Sequence, residues 1–226
     1  DGCTTVVHAG GDASLAAVPD AAGPDAPPLP EEVRYSRHFL LKNQIPTPLG
    51  ELREDDLAGR SDYFVFTYRG GRLVRLEHRN GSGFPVAQAV DDDEWWERAT
   101  TFVPEYRTDG TVERMTALRC GIGKTECAPL AVLQIGRDLR SRRVVLPGHE
   151  EVATWNQDRI SVQSYELDDH GYSEKTRYLN AIGKPQPDRF GRVVVTRKHD
   201  ADGWILESRE EILGPASDDD EGGGAG

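Results

Sequence analysis

The chain is 226 residues long, 37% hydrophobic and 29% charged, with 39 Asp and Glu against 27 Lys and Arg and a formal net charge of −12. Its length and apolar content suffice for one ordinary domain with a buried core. The acidic balance excludes a general nucleic-acid binder, which needs Lys and Arg to neutralise phosphates, and no apolar run approaches the roughly 20 residues of a transmembrane helix.

The chain opens at Asp1 rather than Met, as a processed or trimmed chain does. Cys3 follows Gly2, and a small residue before Cys suits a bacterial lipoprotein cleavage site. Cys3 is therefore a candidate for lipidation, the one membrane attachment the sequence offers; the alternative is an ordinary terminal cysteine. Residues 1–30 hold no Lys or Arg and end in GPDAPPLP. That composition buries too little apolar surface to order itself and reads as a disordered tether. SDDDEGGGAG (217–226) reads as a solvated acidic, Gly-rich tail.

The domain between them, 31–216, opens on VRYSRHFLL (33–41), where Val33, Tyr35, Phe39 and Leu41 alternate as in a strand, with Arg37 out of character. The stretch RYSRHFLL (34–41) is similar to the opening of ubiquitin-activating-type adenylating enzymes, but their Gly-rich nucleotide loop does not follow. ELREDDLA (51–58) and DDDEWWERAT (91–100) are the two candidates for short helices.

From residue 63 one pattern recurs: strand, tight turn, strand. It turns at Gly70-Gly71, Asp109-Gly110, His170-Gly171 and Asp202-Gly203, and a degenerate unit turns near Gly136. Such turns need Gly because a positive φ is costly for other residues. Each return strand then meets a second glycine, Gly83, Gly123, Gly183 or Gly214, and Pro85, Pro185 and Pro215 follow three of these. The expected fold is all-β, an antiparallel meander of consecutive β-hairpin repeats with one or two short helices. In YFVFTYR (63–69) the face carrying Phe64, Phe66 and Tyr68 is the expected core side.

Tyr68 to Leu76, YELDDHGYSEKTRYLNAIGKP (165–185) and His199 to Leu206 resemble bacterial hairpin-repeat proteins of the YD/RHS and MORN-like type. The tyrosine-aspartate dipeptide is absent from all four units. The resemblance implies a scaffold or surface protein whose repeats carry no catalytic residues of their own.

Candidate sites are few. Cys120 and Cys127 flank a hairpin tip and are candidates for a disulfide, which would imply an oxidising compartment; the alternative is two free thiols. GIGKT (121–125) has the end of a phosphate-binding loop, but Leu118 stands where its first glycine is required. Trp95 and Trp96 could form an aromatic platform for a glycan or a protein, or anchor the core. Beside them Asp91, Asp92, Asp93 and Glu94 lack the spacing of a calcium loop, and the six histidines lack that of a zinc site. In a strand Arg140 and Arg142 would share one face, suited to an anionic partner or to a solvated edge.

No catalytic residue, metal site or cofactor motif is assigned. The reading is a non-enzymatic scaffold or binding module for a protein or glycan, extracytoplasmic or in the cell envelope, with a cytoplasmic location as the alternative. The rival functions are a carbohydrate-active hydrolase with an acidic site near Trp95 and Trp96, and a fragment of a larger repeat protein.

Overall fold

A computed structural model describes residues 29–87, 98–121, 127–145, 160–188 and 190–213. Twelve antiparallel strands form a single sheet. In chain order they are β1 (Glu31–Lys42), β2 (Ile45–Leu52), β3 (Tyr63–Arg69), β4 (Arg72–Arg79), β5 (Thr101–Tyr106) and β6 (Val112–Cys120). The second half comprises β7 (Cys127–Ile135), β8 (Ser141–Val145), β9 (Val162–Leu167), β10 (Ser173–Leu179), β11 (Arg192–His199) and β12 (Ile205–Ile212). From β3 onward each strand pairs with the next, which is the expected hairpin meander.

The turns at Gly70-Gly71, Asp109-Gly110, His170-Gly171, Asp202-Gly203 and Gly136 all lie between paired strands. Gly83 and Gly183 do not merely stop strands; each is the glycine of a further tight turn, after which Pro85 bridges Arg79 and Pro185 bridges Leu179. Gly123 and Gly214 lie outside the described residues.

A second regularity accompanies the glycines. In five turns an Asp or Asn stands three residues before the glycine and caps the loop. Asn80, Asp168, Asn180, Asp188 and Asp200 each accept, on one side-chain oxygen, the backbone N–H groups two and four residues ahead, at 2.8–3.1 Å. Each also accepts the glycine N–H on its own carbonyl. The side chain thereby satisfies donors that the bent backbone cannot.

Two elements differ from expectation at the start of the domain. β1 is half of a hairpin whose two-residue turn, Asn43-Gln44, has φ of 50° and 65°. Its partner β2 contains Pro46 and Pro48, which argue against a strand in sequence. In the ladder that follows from Lys42 opposite Ile45, these two prolines occupy positions whose N–H would point away from β1. β2 lies at the edge of the sheet, so the prolines remove donors only where no strand follows. ELREDDLA holds the end of β2 and a single 3₁₀ turn, Glu54–Asp56, instead of a helix. Three consecutive acids offer no apolar stripe, and only Leu57 beyond them is buried. Of DDDEWWERAT, residues 91–97 lie outside the described residues, as do residues 1–28 and 214–226.

The core is a row of side chains crossing the sheet on its inner face. Phe66 faces Leu76, Leu76 faces Phe102, Phe102 faces Ala117 and Ala117 faces Ala131; one pleat along, Leu133 faces Val144. All are buried, and Phe66 and Leu76 are fully enclosed. Phe64 and Phe66 thus lie on the expected core side, with Tyr68 packed against it. The opposite face of β3 is covered as well: Tyr63 and Val65 pack with Leu57, Tyr35 and Leu52.

One further arrangement creates the candidate site. β1 pairs with β3 only over Glu31–Ser36, while its pairing with β2 continues to Lys42. The outer half of the first hairpin therefore runs six residues past its neighbour and crosses to the far side of the sheet. Phe39 packs edge-on against Phe64 with ring centres 5.0 Å apart. At the tip, Asn43 N–H donates to the Gly171 carbonyl at 2.8 Å, and Lys42 bridges Tyr172. Leu40 packs so closely on Gly203 that a Cβ there would lie 2.6 Å from Leu40 Cδ2.

Candidate functional site

Between this crossing hairpin and the inner face of β8–β12 lies a cleft of about 560 Å³, lined on the hairpin side by Phe39, Leu40, Leu41 and Leu49. The floor continues the core row, but its chemistry changes. Along the same face, Val144 on β8 is followed two residues earlier by Arg142, which faces Gln163 on β9. Gln163 faces Tyr178, Tyr165 faces Thr176, and Thr176 faces Val195. The alternation that delivers Phe66 and Leu76 to the core thus delivers Arg142, Gln163, Tyr165, Thr176 and Tyr178 to the floor of the cleft.

These polar groups are organised. Arg142 is buried; its Nη2 donates to Gln163 Oε1 at 2.6 Å, and the guanidinium lies 5.4 Å from the Tyr165 ring centre. The Tyr165 hydroxyl donates to the same Gln163 oxygen. Burial pushes the Tyr165 hydroxyl above its usual pKa, and the positive charges of Arg142 and Arg197 pull it the other way. Tyr165 is therefore within electrostatic reach of both guanidinium groups. Arg197, on β11, is half-buried and makes no ion pair or hydrogen bond among the described residues.

At the end of the cleft nearest the hairpin tip sits His199, its side chain only 8% exposed, with Nδ1 3.7 Å from Asp168 Oδ2. Burial lowers its pKa, and the Asp168 carboxylate opposes that shift. Trp204 and Ile205 complete the wall at the start of β12 and remain about half exposed. Among the described residues that line the cleft there is no Asp or Glu, in a chain where acids outnumber bases by 39 to 27.

The residues singled out in sequence distribute unevenly. Arg142 is in the cleft, whereas Arg140 is exposed in the turn before β8, so the two do not present one cationic face. Cys120 and Cys127 form a disulfide, with Cα atoms 4.3 Å apart at the end of the β6–β7 pair. Trp95, Trp96, Cys3 and most of GIGKT lie outside the described residues. Among the described residues no group of three or more His, Cys, Asp or Glu is placed to hold a metal ion.

Sequence reasoning missed Gln163, Tyr165, Tyr178, Arg197 and His199. Each sits on a strand whose inner residues were legible by alternation, but nothing local marks which part of the inner face the first hairpin leaves open. No protein family, curated protein or solved structure matches this chain.

Proposed function

We propose that this chain is a non-enzymatic binding module whose site is the cleft between the first hairpin and the inner face of β8–β11. One observation carries the reading: the inner face is mainly apolar where it packs as core, and becomes an ordered polar and aromatic surface where the hairpin stands off it. The volume falls within the roughly 300–1,000 Å³ of small-molecule sites, and an apolar lining with a few convergent polar groups is their usual composition. The resemblance to hairpin-repeat proteins supports a binding role over catalysis, and the Cys120–Cys127 disulfide supports an extracytoplasmic location.

Anilinonaphthalene sulfonate, an anionic apolar dye, tests the site. It should bind the full chain at one site, and Ser173→Trp, which places an indole in the cleft, should abolish binding. Val74→Trp, in a separate groove beside Tyr106, should leave it unchanged. Dye binding that survives Ser173→Trp refutes the assignment.

A protein partner at the sheet edge is a second reading, favoured by β12. That strand is the other edge of the sheet, contains no proline, and exposes Ile205, Leu206 and Ile212. A strand added there would complete its ladder. Substituting Ser208→Pro would remove one outward donor and weaken such an association, measurable by pull-down with a defined partner.

A further inference from the structure

We infer that the ligand of this cleft is an amphiphile with a single carboxylate head and an aliphatic body, a class that rests on the cleft being the binding site. The lining divides by chemistry. Leu40, Leu41 and Leu49 on the hairpin, with Ile205 across from them, form a wall of branched aliphatic side chains. Sugar hydroxyls would find no carboxylate acceptor in this lining and would leave those aliphatic groups against polar surface. A methylene chain matches them.

The head group follows from the charges. Arg142 and Arg197 line the cleft and, among the described residues, no carboxylate does, so a cationic head is repelled and an anionic one attracted. The two arginines are not equivalent. Arg142 already donates to Gln163 and lies against Tyr165, so it is part of the floor. Arg197 has no such partner among the described residues and supplies the guanidinium fork, which a carboxylate matches with two parallel hydrogen bonds. One available fork calls for one charge.

Isothermal titration of the full chain with dodecanoate, dodecanol and dodecyltrimethylammonium, each below its micelle concentration, tests the class. Dodecanoate is expected to bind at one site about tenfold or more tighter than dodecanol, the weight of one charge-assisted pair, and the ammonium compound more weakly than either. Arg197→Gln should lower dodecanoate affinity to that of dodecanol and leave dodecanol unchanged, and Arg197→Lys should restore part of the difference. Equal affinity for dodecanoate and dodecanol, or an Arg197→Gln chain that distinguishes them as before, overturns the carboxylate class and leaves the cleft assignment standing. If none of the three binds, or if Ser173→Trp binds dodecanoate as the parent chain does, the cleft assignment itself falls. Far-UV circular dichroism and the thermal midpoint of each variant establish that it is folded.

Discussion

Asp168 occupies a position where the turn pattern and the candidate site meet, and replacing it tests both. Its Oδ1 accepts the N–H groups of His170 and Tyr172, each at 2.9 Å, and its side chain is 22% exposed. The backbone bonds of the turn, from Asp168 N to the Tyr172 carbonyl and from Gly171 N to the Asp168 carbonyl, do not involve the side chain. Asp168→Ala therefore removes two charge-assisted hydrogen bonds, both to one oxygen, and nothing else from the turn. Hydrogen bonds to charged groups contribute about 1.5–3 kcal/mol each; partial exposure lets water replace some of that, leaving about 1 kcal/mol each and about 2 kcal/mol in all. With a urea dependence of about 2 kcal/mol/M the unfolding midpoint should fall by about 1 M. Asp168→Asn keeps an oxygen in the same place and should lose no more than about a third of that. Because the Gly171 carbonyl receives the Asn43 amide, the Ala variant should also speed hydrogen exchange at Asn43. The reasoning is refuted if Asp168→Ala and the parent chain unfold at the same urea concentration, or if Asn proves as damaging as Ala.

Three other perturbations probe separate parts of the argument. Burial lowers the His199 pKa, so its folded value lies below the unfolded one and the folded state binds fewer protons; stability is full above about pH 6.5 and declines as pH falls below it. His199→Gln should flatten the fall in thermal midpoint between pH 7 and pH 5, and an unchanged profile would remove His199 as its source. Reducing the Cys120–Cys127 disulfide, which closes a loop of separation 7, should cost about 2.5 kcal/mol in the loop-entropy account, read from urea unfolding with and without reductant. Replacing Pro46 and Pro48 with Val and Thr restores two outward N–H donors to the β2 edge, and sedimentation velocity should then show more self-association than the parent chain does.

What could be read from the sequence was whatever is encoded within a few residues. The hairpins at Gly71, Gly110, Gly171 and Gly203 announce themselves because a glycine between alternating strands has few other uses. The same segments contain a stronger signal that glycine alone obscures: Asn80, Asp168, Asn180, Asp188 and Asp200 stand three residues before a positive-φ glycine, and that pairing separates a capped turn from a strand end. β2 was hidden because proline disfavours strands in general, while at an edge it is excluded only from alternate positions. The cleft had no local signature at all. It exists because Asn43 reaches Gly171 and Leu40 reaches Gly203, contacts made across more than half the chain. Arg140 and Arg142 show the consequence: two residues apart and alike in sequence, one is solvated in a turn and the other is buried on the floor.

The position of Arg142 also bears on whether the cleft is a site or a packing defect. Val144 and Ile135 are its apolar neighbours on the inner face, so a valine at 142 would have continued the apolar pattern of the core row. A buried guanidinium instead requires compensation for its lost hydration. Part of that compensation is present, since Gln163 accepts from both Arg142 and Tyr165 and the aromatic ring lies beside the charge. Such an arrangement specifies orientation more than it adds stability, because apolar residues of similar volume often serve stability as well or better. Three strands further along the sheet, on β11, Arg197 has the same sign of charge and no such partner among the described residues. A fold that required only a sealed sheet would use neither arginine here. Arg142, Gln163, Tyr165, Thr176 and Arg197 gather on the stretch of inner face that the first hairpin overhangs, which is where a binding function would place them.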